Sequence, residues 1–201
     1  MRRIIVGITG ASGSVFGVRV LEGLRAAGGV EVHLVVTKWG QQTLEHETGL
    51  AIKDVRALAD HVHAAGEMGA SIASGSFHTD GMIIAPCSMR TAAALALGFG
   101  DNLVHRAAEG VMKEKRRLVI VPRETPLTEV HLDNLLRLAR MGVSVLPPMP
   151  AFYNHPQSVD DIVNHITARV LDQFGIAAPN AKRWDGEMRG RDDVVPLRPK
   201  S

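Results

Sequence analysis

The chain has 201 residues, of which 45% are hydrophobic and 22% charged, and it carries a net charge of +2 at neutral pH. That length suits one ordinary domain with a substantial core, and so weak a positive charge gives no footing for a nucleic-acid partner. A single cysteine, Cys87, excludes a disulfide framework and points to a reducing compartment, the cytoplasm; no apolar run approaches the roughly 20 residues of a membrane span, and Met1-Arg2-Arg3 does not read as a signal peptide.

Residues 4–8 predict a first strand, which runs into Gly7-Ile8-Thr9-Gly10-Ala11-Ser12-Gly13-Ser14 and then a helix over 15–27. A tight glycine turn between a strand and a helix brings backbone N–H groups close to an anion, so a phosphate-bearing ligand is expected there. Residues 32–36 predict a second strand, which ends at Thr37-Lys38-Trp39 and leads to a helix over 41–47. A third strand over 82–85 enters Pro86-Cys87-Ser88-Met89-Arg90-Thr91, followed by helices over 91–97 and 103–113. A fourth strand over 118–121 enters Pro122-Arg123-Glu124-Thr125-Pro126, and a helix over 129–141 leads to a fifth strand over 143–146. That strand runs into Pro147-Pro148-Met149-Pro150-Ala151-Phe152-Tyr153, a stiff wall beside two aromatic rings. Ser158 with Asp161 marks the start of a last helix, whose core face is Val159, Ile162, Val163, Ile166 and Val170, with Gly175 at its end. The strands lack alternation, so they are buried on both faces, and strand–helix alternation predicts a three-layer, doubly wound, mostly parallel α/β sheet of flavodoxin or Rossmann type. The expected domain is 1–178, with a polar tail over 179–201 anchored by Trp184.

Such a fold gathers its strand C-termini along one edge, where ligands bind. The glycines at 7, 10, 13 and 17 do not follow G-x-G-x-x-G, and no acidic residue ends the second strand, which argues against a dinucleotide. There is no P-loop and no G-x-S-x-G elbow, so nucleotide hydrolysis and serine hydrolysis lack their motifs. A mononucleotide such as FMN needs only one phosphate cradle and an apolar wall. At the third strand end Ser88 and Thr91 offer hydroxyls, Arg90 a charge and Met89 a polarizable surface, while a lone cysteine such as Cys87 is more often packing than nucleophile. Arg123 suits phosphate through its planar fork, and Glu124 beside it suits proton delivery to a leaving phosphate. Arg169 sits beside the apolar stripe of the last helix, where it either reaches the same pocket or snorkels at the surface. His61-x-His63 has the spacing of two metal ligands but no evident third and fourth, so no metal site is assigned.

Taken together, these stretches resemble the UbiX-type flavin prenyltransferases, a family that includes the small subunits of bacterial phenolic acid decarboxylases. The likeness covers about residues 3–184. It rests on the first loop, on Glu45-His46-Glu47-Thr48, Ser74-Gly75-Ser76-Phe77, Ala85 to Thr91, Asp101-Asn102-Leu103, Val121 to Pro126 and Pro150-Ala151-Phe152-Tyr153. The resemblance implies transfer of a dimethylallyl group from dimethylallyl monophosphate to N5 and C6 of reduced FMN, without a metal. The product, prenylated FMN, would serve a UbiD-type decarboxylase, and the enzyme would be a homo-oligomer, a dodecamer. By the same resemblance Gly10, Ala11, Ser12, Thr37, Ser88, Met89, Arg90, Thr91 and Arg123 match FMN-binding positions. Tyr153 and Arg169 match prenyl-phosphate positions, with Lys113, Arg123 and Glu124 around them. Arg106 and Lys113 are expected to reach a neighbouring subunit's site. Ser12 and Glu47 match residues that handle protons, and Trp184 matches an aromatic that covers the site. Thr37 stands where serine is common and Arg90 where lysine is common. The competing readings are a flavin-dependent aromatic acid decarboxylase acting directly and a non-catalytic FMN carrier.

Overall fold

Runs of Ile and Val put every central strand between two layers of helix, as residues buried on both faces require. The computed structural model describes residues 1–178 together with Trp184 and Gly186. Six strands form one all-parallel sheet: β1 (Arg2–Ile8), β2 (Val30–Val36), β3 (His61–Ala64), β4 (Gly81–Cys87), β5 (Arg117–Pro122) and β6 (Ser144–Val145). Their order is β3-β2-β1-β4-β5-β6, the doubly wound arrangement in which the chain reverses direction between β1 and β4. The helices are α1 (Ser14–Ala27), α2 (Lys38–Thr48), α3 (Ile52–Arg56), α4 (Met89–Leu97), α5 (Leu103–Lys113), α6 (Glu129–Arg140) and α7 (Val159–Asp172).

Alternate side chains of the strands divide the core in two. Ile5, Val35, Met82, Ile84 and Ile120 pack beneath α4, α5 and α6 through Leu95, Leu103, Val111 and Leu138. Ile4, Val6, Leu34, Ile83 and Val119 pack beneath α1, α2 and α7 through Leu21, Leu24, Leu44 and Leu171. α1 lies so close to β4 that a Cβ on Gly17 would collide with the Ala85 carbonyl oxygen.

The expected fold is present, with four corrections. Helices α2 and α4 begin earlier than predicted, because Thr37 and Ser88 cap them with side-chain oxygens that accept from Gly40 N and Thr91 N. The fifth predicted strand shrinks to the two residues of β6, ahead of the proline-rich stretch. The α7 start is as predicted, a capping box between Ser158 and Asp161, but the helix ends at Asp172, short of Gly175. Lastly, β3 and α3 were not predicted: β3 is a four-residue edge strand of mostly exposed residues, without the apolar run that marks the others. The tail expected over 179–201 lies outside the described residues, apart from Trp184 and Gly186.

The reversal point is fastened by one buried side chain. Thr9, 1% exposed, follows β1 and donates its hydroxyl to the Pro86 carbonyl at 2.9 Å. The same oxygen accepts from Ser88 N at 2.8 Å, and Thr9 N donates to Pro86 O at 3.2 Å. Replacing Thr9 by valine keeps the shape but strands the Ser88 N–H and leaves the Pro86 carbonyl with the residue-9 amide as its donor. We expect a loss of about 1–3 kcal/mol of stability, read as a lower urea midpoint at unchanged slope.

Candidate active site

Four loops converge at the carboxyl edge of the sheet. The first follows β1, and its Gly13 sits in the left-handed region at φ 100°, which favours glycine. Gly13 starts α1 without a side-chain cap of its own. Glu47, from the last turn of α2, supplies one: its carboxylate accepts from Gly13 N and Ser14 N, both at 2.9 Å. The anion expected at this helix terminus is therefore the protein's own carboxylate. Burial opposes ionisation of Glu47, but hydrogen bonds from the Ser12 hydroxyl and the Ser14 and Gly13 amides outweigh it, so its pKa falls below the ordinary 4.5.

The loop after β5 touches the first loop directly. Arg123 donates Nε to the Ser12 carbonyl at 3.2 Å and its own amide to Cys87 O at 3.3 Å. Ser12, Glu47 and Arg123 are thus brought together. Glu124 accepts from Thr125 N within the same loop. Cys87 is fully buried and its thiol is pushed up to about 12 by that burial, so it is a packing residue.

A cleft of about 400 Å³ opens between the β1 and β4 loops, within the range of small-molecule sites. Gly10, Thr37, Ser88, Arg90 and Thr91, all matched to FMN-binding positions by the resemblance, line it. Ser88 donates to the Thr91 hydroxyl at 3.1 Å, and Arg90 is paired with Asp101 at 3.0 Å. Met89 is 8% exposed and belongs to the core beneath α4. The cleft also contains residues not singled out for it: Lys38, Trp39, Ala65, Gly66, Asp101, Asn102 and His105. Trp39 is 68% exposed at its wall, an aromatic that the sequence shows but does not orient. His105 is buried and its pKa is lowered by that burial, so the neutral ring faces Thr91 at 3.4 Å and Asp101 at 3.2 Å. It escapes sequence reading because nothing local distinguishes it from other helical histidines.

A second cleft, of about 280 Å³, lies under the proline-rich loop and is lined by Asn154, Pro156, Asp161 and His165 among others. Tyr153 packs edge-on against both His165 and Trp184, with ring centroids 5.8 and 5.7 Å away. Arg169 follows His165 by one turn of α7 and pairs with Asp172 at 3.0 Å. Arg106 and Lys113 are not gathered with these groups. Arg106 pairs with Glu109 on α5 at 3.6 Å, and Lys113, 3.9 Å from Glu114, closes α5 at the opposite edge, just before β5 begins.

The sequence profile of the flavoprotein family matches residues 1–171. A probable UbiX-like flavin prenyltransferase of Streptomyces sp. (strain D7) is 59% identical over 189 residues, 94% of either chain. The crystal structure of AnUbiX (PadA1) in complex with FMN and dimethylallyl pyrophosphate covers 93% of this chain and 99% of its own, at 47% identity and a TM-score of 0.91. That of a dodecameric FMN-dependent UbiX-like decarboxylase from Escherichia coli O157:H7 covers 92% of this chain and 100% of its own, at 56% identity and a TM-score of 0.90.

Glu47 has a testable pH signature. Its folded pKa lies below its unfolded value, so its stabilisation is complete above about 4.5 and is lost as pH falls through the folded pKa. Glu47→Gln is therefore expected to lower Tm at pH 7, and the difference from the parent protein is expected to shrink steadily below pH 4.5. A pH-independent difference would contradict the assignment of the charged cap.

Proposed function

We infer that this chain prenylates FMN, since it belongs to the flavoprotein family and, within it, to the UbiX-like flavin prenyltransferases. The observation that carries this is its likeness, along nearly the whole chain, to a protein bound to FMN and a dimethylallyl phosphate ester. The β1–β4 cleft fits the flavin: it has hydroxyls and a cation for a phosphate and an exposed indole for a ring system. Reduced FMN is a substrate here, and it supplies the nucleophilic ring that accepts the prenyl group.

With Glu47 occupying the α1 terminus, the flavin phosphate draws its donors from Thr37, Ser88, Arg90 and Thr91, while Gly10, Ala11 and Ser12 form the near wall and Met89 backs it. The prenyl donor is read as dimethylallyl monophosphate. Its allylic C–O bond breaks when the departing phosphate is stabilised, and Arg123 and Arg169 bring positive charge to it. Tyr153 donates a hydrogen bond to that phosphate and Glu124 a proton. Lys113 and Arg106, outward on α5, complete the site of a neighbouring subunit in a homododecamer. Tyr153 and Trp184, packed edge to face, keep water from the allylic cation. Glu47 is ionised across neutral pH and accepts from Ser12, so the two form a relay for the proton leaving flavin C6. The product is prenylated FMN, taken up by a UbiD-type decarboxylase. No described helix is long and apolar enough to cross a membrane, and the reduced Cys87 fits a cytoplasmic enzyme.

Under anaerobic conditions, reduced FMN and dimethylallyl monophosphate are expected to yield inorganic phosphate and FMN heavier by one prenyl unit. Release of neither phosphate from the monophosphate nor pyrophosphate from the pyrophosphate would exclude the reading. Carbon dioxide release from a phenolic acid by this protein alone would favour the direct decarboxylase.

Two substitutions separate the donor from the flavin. Arg169→Ala and Tyr153→Phe are each expected to lower kcat/KM for the prenyl donor by about 10²-fold while leaving FMN affinity nearly unchanged. Equal losses in both would contradict their placement at the donor phosphate.

A further inference from the structure

The edge strand brings together histidines that its sequence leaves incomplete. In register, His33 of β2 stands beside His61 of β3, and Glu31 precedes His33 on the same face. The carboxylate of Glu31 lies at the centre: its Oε1 is 3.1 Å from His33 Nε2 and 3.2 Å from His61 Nε2. One ligand atom from each of the three residues falls within 4.8 Å of the others. Tetrahedral coordination at the usual zinc–nitrogen and zinc–oxygen lengths separates ligand atoms by about 3.3 Å. The side chains therefore stand at coordinating distances with little movement needed.

From this arrangement we propose that Glu31, His33 and His61 bind a divalent transition-metal ion, zinc by the chemistry of the donors, which joins β3 to β2. Two imidazoles and one carboxylate are a set that zinc favours, and they leave further positions to water. The supports behind the ligands are present as well. Arg3 holds the other carboxylate oxygen of Glu31 at 2.9 Å, which turns Oε1 toward the rings. His63 Nε2 lies 3.0 Å from His33 Nδ1. With a metal on Nε2, His33 carries its proton on Nδ1 and donates it to His63, the partner that fixes the tautomer of a ligating histidine. His33 is nearly buried, whereas the His61 side chain is 52% exposed and opens the entry path. The rings of His33 and His61 stack at 4.5 Å, so both already lie against the same opening. The metal's role is structural. β3 has four residues and one strand neighbour, β2, and a bond through the metal holds it where few apolar contacts do.

The test uses the full, untagged chain, stripped with a chelator and titrated with Zn²⁺ by calorimetry, with Co²⁺ as the spectroscopic probe. We expect one Zn²⁺ per chain, a rise in Tm on loading, and visible cobalt bands of mixed nitrogen and oxygen ligation. His61→Ala, at an exposed position that leaves the core intact, and Glu31→Gln are each expected to abolish stoichiometric binding. His63→Ala is expected to weaken it by about 10–100-fold, while His46→Ala, at an exposed histidine on α2, leaves it unchanged. Absence of stoichiometric binding to the parent chain overturns the proposal. So does binding that survives His61→Ala in a variant whose circular dichroism matches the parent.

Discussion

One hydroxyl group sets the geometry on which the site depends. The sheet reverses its winding between β1 and β4, and the loops that follow these two strands part there to leave a crevice. Nothing in the strand ladder alone fixes how far apart those loops stand, because the ladder between β1 and β4 ends at Gly7 and Ile84. Thr9 extends the connection by another step through Pro86 and Ser88. Its hydroxyl acts as donor to one strand end and acceptor from the helix cap beyond it, so the start of α4 is positioned relative to the first glycine loop. Ser88 then caps Thr91, and Arg90 between them is carried to the wall of the cleft. A chain of buried and half-buried hydrogen bonds thus converts the end of a strand into the placement of the groups that line the cleft.

The first loop illustrates why a helix terminus must be examined before it is given to a ligand. Two amides of α1 point at an anion, as the sequence suggests, but the anion comes from α2. The consequence is a carboxylate kept ionised by the very groups that would otherwise hold a phosphate. That arrangement serves two ends. It satisfies a helix start that has no cap of its own, and it leaves a base in contact with Ser12, at the point where Arg123 crosses from the fourth loop. The same carboxylate caps the helix and accepts from Ser12.

Much of this was legible in the sequence because it is local. Five strands announce themselves by apolar runs, Ser158 and Asp161 mark a helix start, and the loops after the strands carry residues whose chemistry suits phosphate. The topology then follows from handedness rules and places those loops on one edge. What stayed hidden depends on pairing across the chain. β3 is polar and exposed at the sheet's edge, so it lacks a hydrophobic signature. His61 and His63 read as two ligands without partners, because Glu31 and His33 lie on another strand and only the parallel register aligns them. Glu47 could be assigned to proton handling, but its capping of α1 spans 34 residues and has no sequence pattern. His105 is concealed for the same reason: its contacts to Thr91 and Asp101 arise where α5 returns to the cleft.

Four of the five cations assigned to phosphates, all but Arg123, share a further property. Arg90 is held by Asp101, Arg169 by Asp172, Arg106 by Glu109 and Lys113 by Glu114, and at each pair the cation is substantially exposed. Exposed ion pairs contribute about 0–1 kcal/mol, whereas a phosphate ester offers more negative charge and more acceptor oxygens to the same guanidinium. At such pairs a phosphate would displace the carboxylate at small cost, and the carboxylate would recover its partner when the phosphate left. In the proposed reaction both substrates and both products carry phosphate. Deeply buried, permanently committed cations would bind the inorganic phosphate product as firmly as the donor. Cations with a weak internal partner are held in position between turnovers and release the anion after it. The buried Thr9 hydroxyl and the carboxylate cap from Glu47 fix the frame, and the exposed ion pairs around it allow exchange.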